Sequence, residues 1–144
     1  MKKLIVLIIF TACLFSCEKD QLFRWDNGSD IEKDNNFVYS PSPVFDIIAP
    51  SSANPGDTIV IQVRSQGNSG CAEFSHFNQA PTGRNTLNIQ ANQKVPVNAV
   101  CTMNLITLTS SFKYIPESRG IHTLNFWRGE LHEHDFVTIE INIR

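Results

Sequence analysis

From Val44 to the C-terminus the apolar positions recur with a period of two, the repeat of a strand whose alternate side chains point to opposite faces of a sheet. The run Thr58-Ile59-Val60-Ile61-Gln62-Val63-Arg64 is the clearest case, with Ile59, Ile61 and Val63 on one face. The same pattern predicts strands over Val44–Ile48, over Ala72–Phe77, and around Leu87, Ile89 and Ala91. It predicts a long strand over Leu105–Ile115, in which Ile106, Leu108, Phe112 and Tyr114 share a face, and another over Gly120–Trp127. The last covers Phe136–Ile143, with Val137, Ile139, Ile141 and Ile143 turned inward. Turn-rich clusters at Pro50–Gly56 and Ser65–Gly70 punctuate these runs, and no stretch after residue 43 carries a helical period. About seven short strands with such spacing predict an all-β, antiparallel β-sandwich over residues 41–144, with Pro41 and Pro43 marking its entry.

The N-terminus is patterned differently. Lys2 and Lys3 precede an apolar run from Leu4 to Phe15, too short to span a bilayer as a mature helix and suited to a signal peptide over residues 1–16. Its end, Leu14-Phe15-Ser16-Cys17, resembles the lipobox of bacterial lipoproteins. The small Ser16 fits the cleavage site, which makes Cys17 the lipidated N-terminus. Phe15 departs from the small or β-branched residue usual in proteobacterial signals. Phe10-Thr11-Ala12-Cys13 is a competing match, and an ordinary secretory signal without lipid is the alternative. At roughly 0.8 kcal/mol per buried methylene, the several acyl chains of a bacterial lipoprotein hold it stably on a membrane. Glu18-Lys19-Asp20 resembles the surface-export signal of Bacteroidetes lipoproteins, which points to the outer membrane, with surface exposure open.

Cleavage after Ser16 leaves 128 of the 144 residues and, with two lysines removed, moves the formal net charge from −2 to −4. That length supports one domain with a real core, not two. A mildly acidic chain without a basic patch argues against nucleic acid as a partner. Residues 18–40 hold six acidic and three basic residues and few large apolar ones, so residues 17–40 read as a lipidated N-terminus and flexible tether.

Two segments carry a resemblance to the immunoglobulin-like domains of bacterial surface proteins. Asn54-Pro55-Gly56-Asp57-Thr58-Ile59 looks like the connection between their first two strands, where Pro presets φ, Gly is permissive and Asp bonds to nearby backbone. Tyr114-Ile115-Pro116 with Arg119-Gly120-Ile121-His122-Thr123-Leu124 resembles their corner, in which a tyrosine hydroxyl bonds back to the preceding turn. Here His122 stands at the tyrosine position, with a shorter reach. As a whole the chain resembles Bacteroidetes-type outer-membrane lipoproteins carrying this sandwich, a group with no assigned activity.

With Cys13 lost and Cys17 lipidated, Cys71 and Cys101 remain, and outside the cytoplasm two cysteines in a small domain pair as a disulfide. Neither has a C-x-x-C companion, which argues against zinc. On the loop-entropy model the bridge contributes about 3 to 4 kcal/mol. It lies away from the bridge position of immunoglobulin domains.

Catalytic motifs are absent: there is no Gly-x-Ser-x-Gly elbow and no glycine-rich phosphate loop. Alternation puts Phe74 and His76 on one face of their strand and Glu73 and Phe77 on the other, so Glu73 and His76 make no acid–base pair. Phe77 reads as core and His76 as outward. Trp127 falls on the face opposite Phe126; beside Arg128, His132 and His134 it could stack on a sugar or anchor a protein, or be a rim residue covered by its neighbours. The expected function is therefore a membrane-anchored, non-enzymatic binding or accessory module of the cell envelope, with a protein or glycan ligand and no cofactor. The alternative is a metal-binding protein or metal-dependent enzyme using His122, His132 and His134. Parity opposes it, because His122 shares the inward face of Leu124 and Phe126.

Overall fold

The computed structural model describes residue 34, residues 36–129 and residues 136–144; Cys17, the segment before it, most of the expected tether, and His132 and His134 lie outside the described residues. Among the described residues there are nine strands: β1 (Phe37–Pro41), β2 (Val44–Ile48), β3 (Ser52–Ala53), β4 (Ile59–Gly67), β5 (Glu73–Gly83), β6 (Thr86–Pro96), β7 (Ile106–Tyr114), β8 (Gly120–Trp127) and β9 (Phe136–Ile143). They form two sheets, β2-β4-β7 and β1-β6-β8-β9-β3 with β5 also on β6, packed as a β-sandwich.

Strict alternation decides which side each strand buries. β4 alternates buried and exposed along its first seven residues, and Ile59, Ile61 and Val63 face the second sheet. Opposite them stand Ile89 and Ala91 of β6, Leu124 and Phe126 of β8, and Ile141 and Ile143 of β9. Phe77, Phe112 and Phe126 meet edge to face across the gap, with ring centroids 5.2 and 5.7 Å apart. Fully burying such a side chain contributes about 1.5–3 kcal/mol, so this shared seam is the main cohesion between the layers.

All seven expected strands are present, and β1 and β3 are additional. β1 occupies residues that composition assigned to the tether. The carboxylate of Asp34 accepts from the amides of Asn36 and Phe37 at 2.7 and 2.6 Å, which turns the chain into β1. These two bonds hold the Asp34 carboxyl below its usual range. β1 then pairs antiparallel with β6, Phe37 opposite Pro96. Two pairings are parallel: β3 with β9, and β6 with β8 over Thr86–Ile89. The second departs from the immunoglobulin strand order, where neighbours at this place run antiparallel.

β6 explains the departure. Residues 86–94 pair with β5 on one edge, while the other edge serves β8 at residues 86–89 and β1 at residues 92–96. The link from β1 to β2 crosses between the sheets at this junction and is satisfied internally. The buried Ser42 donates to Gln66 O at 2.9 Å and lies 2.9 Å from Ser65 Oγ. Gln93, also buried, donates to Pro41 O at 3.1 Å and accepts from Asn68 N at 2.9 Å. Buried polar groups persist only when paired in this way.

The reading of Phe74 is corrected. A bulge between Phe74 and His76 inserts Ser75 as an extra residue, so Phe74 and Phe77 both turn inward, with centroids 4.7 Å apart, while His76 is exposed. Parity counting cannot register an inserted residue.

Candidate functional site

The direction of the strands sorts the connections between two ends. β4 ends at Gly67 opposite Ile106, where β7 begins; β6 and β8 run parallel to each other toward this same end. The β4–β5 turn, the β6–β7 loop and the far end of β8 are therefore neighbours at one end of the sandwich. The Asn54–Asp57 turn, the β5–β6 turn and the β7–β8 corner lie at the other.

At the loop end Cys71 and Cys101 form the expected disulfide, with Cα atoms 5.5 Å apart, tying the β4–β5 turn to the β6–β7 loop. A second tie runs from Gly70 N to Thr102 O at 2.9 Å. The Thr102 hydroxyl also bonds to the side chain of Asn104. A Cβ on Gly70 would overlap that hydroxyl, so a larger residue displaces it and breaks its bond. On this braced loop Val100, Met103 and Leu105 stand 103%, 97% and 64% exposed. Beside it lies an open hollow of about 380 Å³, lined by Val38, Asn68, Ser69, Val95, Cys101 and Met103.

Sequence reading placed the bridge but missed this loop. A signal was available: Val97–Leu105 contains no charged residue, lies between strand patterns, and still carries Val100 and Met103. Apolar residues in a segment with no sheet face to join have nowhere to be buried.

The opposite end closes on itself. Gly56, at φ +82°, donates its amide to Pro116 O at 2.8 Å, and Asp57 Oδ2 accepts from Asn54 N at 3.0 Å. His122 is 3% exposed, and its Nε2 donates to Ser118 O at 2.9 Å, completing the corner bond from the tyrosine position. Its Nδ1 lies 2.6 Å from Tyr114 Oη. Burial, then the charge of Glu117, raise the Tyr114 phenol above its ordinary value, so the hydroxyl stays protonated as the donor to Nδ1. Both imidazole nitrogens are thus engaged by the protein. His122 also lies five residues before the end of β8, about 17 Å from that end at strand rise. Among the described residues no group of three or more His, Cys, Asp and Glu is placed to hold a metal ion.

Trp127 is half-buried at the end of β8, opposite Phe136 of β9, and Arg128 follows it exposed. Trp127 lies on the outer face, as alternation predicts. Next to it Asn125 donates to Asn88 Oδ1 and accepts from Thr138 Oγ1, each at 2.9 Å, a polar ladder across β6, β8 and β9.

Residues 56–138 match the family model of the ORF11 beta-sandwich domain. Neither a curated protein nor a solved structure matches the chain.

Proposed function

The chain belongs to the ORF11 beta-sandwich domain family, and we propose that it works as a membrane-anchored, non-enzymatic binding module of the bacterial cell envelope. The single observation that carries the binding reading is the loop end: Val100 and Met103 are held in solvent by a disulfide and a backbone hydrogen bond. Exposed apolar side chains on a loop that cannot fold back are the usual form of a protein-binding anchor, because the ordering entropy is already spent. The anchor reading rests on Leu14-Phe15-Ser16-Cys17 after the apolar run from Leu4, and the outer-membrane address on Glu18-Lys19-Asp20.

Two measurements test this. Palmitate incorporation in cells is expected in the wild type and in Cys13→Ser, and is expected to vanish in Cys17→Ser; label retained in Cys17→Ser removes the anchor. A photocrosslinking residue at Met103 is expected to give a discrete protein adduct in cells, with none from the same residue at Lys113 on β7. No adduct at Met103 contradicts the binding reading.

A glycan ligand is the second reading, favoured by Trp127 beside the Asn88–Asn125–Thr138 ladder. Glycan-array binding that is lost in Trp127→Ala supports it over the loop.

A further inference from the structure

We propose that residues 100–105 form an inhibitory loop for a serine endopeptidase with an apolar primary pocket, and that Met103 is the side chain that enters it. The inference rests on the binding reading above and names the partner. Three features of the loop point to an enzyme cleft rather than to a flat protein surface.

The first is shape. Met103 is 97% exposed, the longest unbranched apolar side chain of an uncharged segment, with Val100 before it and Leu105 after it. A protruding unbranched apolar group fits a deep pocket, and its two apolar neighbours suit the adjoining subsites of an extended cleft. The second is the backbone. Among the described residues, one backbone hydrogen bond outside the strands reaches residues 100–105, from Gly70 N to Thr102 O. The amide and carbonyl of Met103 are therefore free to pair, as strand addition in a cleft requires. In a lipid bilayer the same free groups would be costly, and the loop carries no cation for anionic headgroups.

The third is bracing. A flexible loop with an exposed Met is a substrate: it is cut and its ends depart. Here the residues before Met103 are held through the Cys71–Cys101 bridge and Gly70, and the following Asn104 is bonded to the Thr102 hydroxyl. Both flanks of Met103 are thus tied to each other or to the β4–β5 turn. Such preorganisation lowers the entropy lost on binding and keeps the segment in place, so it occupies the cleft as a competitive ligand.

The test is residual activity of chymotrypsin, subtilisin and trypsin on small chromogenic peptides, with the full chain in detergent as the titrant. Wild type is expected to inhibit chymotrypsin or subtilisin at micromolar concentration or below and to leave trypsin active. Met103→Lys is expected to weaken inhibition of the first two by at least about tenfold and to create inhibition of trypsin, with an unchanged melting temperature. Reduction of the bridge is expected to convert the inhibitor to a substrate cleaved after residue 103. The proposal is overturned by no inhibition of any of the three enzymes, by inhibition that ignores Met103→Lys, or by rapid cleavage of the oxidised wild type. Binding to neutral-lipid vesicles that Met103→Asp abolishes, without inhibition, assigns the loop to a membrane instead. A Met103 crosslink in cells without any inhibition overturns this inference alone and leaves the binding reading standing.

Discussion

The two ends of the sandwich solve opposite problems with similar material. At the corner end, His122, Tyr114 and Ser118 turn their polar atoms toward one another, and Gly56 and Asp57 fasten the neighbouring turn to Pro116 and Asn54. At the loop end, a covalent bridge and, among the described residues, one backbone bond hold a segment on which Val100 and Met103 stand exposed. Inward pairing stabilises; outward bracing lowers the entropy of a later contact. Exposure without bracing would describe only a loose loop, and bracing without exposure only a staple. Ile115 and Ile121 at the corner end are also exposed, at 56% and 60%, so what distinguishes the loop end is the near-complete exposure of Val100 and Met103 on a braced segment.

The contrast can be broken by substitution, beginning with the largest effect. His122→Ala is expected to cost about 4 kcal/mol in chemical unfolding, since it opens a buried space and strands the Tyr114 hydroxyl and the Ser118 carbonyl. A loss below about 1 kcal/mol means that the corner is not a stabilising element. The double variant Cys71→Ser/Cys101→Ser is expected to lose about 3 kcal/mol, mainly through the unfolded state, with the strands intact by circular dichroism. Tyr114→Phe is expected to cost about 1–2 kcal/mol, because His122 Nδ1 loses its donor. Its raised pKa adds a pH signature. The folded state holds the phenolic proton more tightly than the unfolded chain, so this contribution is complete below the ordinary value of 10.0. It is lost as pH rises through the folded value, and the excess alkaline loss of the wild type is expected to disappear in Tyr114→Phe. Smallest of all, Met103→Lys is expected to change stability by no more than about 0.5 kcal/mol. A loss above about 1.5 kcal/mol there makes Met103 part of the packing and erases the difference between the ends.

Much of this was legible because two-residue periodicity and turn chemistry are local. The alternating Ile59, Ile61 and Val63, the Asn54–Asp57 turn, the inward parity of His122 and the pairing of Cys71 with Cys101 follow from composition and spacing. What escaped was relational. β1 sits in a polar segment that owes its pairing to the free edge of β6 and its start to two amide bonds from Asp34. The parallel run of β6 beside β8 depends on which edge of a hairpin turns inward, which alternation along one strand cannot encode. The bulge at Ser75 shifts parity by a single residue. The exposed loop was missed for a different reason: Val100 and Met103 read as apolar, and only the absence of a sheet face beside them leaves them in water.

A prepared binding loop requires residues 101–103 to be rigid while Thr102 and Met103 stay exposed to solvent, and backbone ¹⁵N relaxation measures that directly. With the bridge intact, order parameters there are expected near ~0.85, equal to those of the strands, and to fall below ~0.6 in Cys71→Ser/Cys101→Ser while the strands stay rigid. Values below ~0.6 in the oxidised wild type would contradict the claim, because a loop that moves freely is not prepared for any partner.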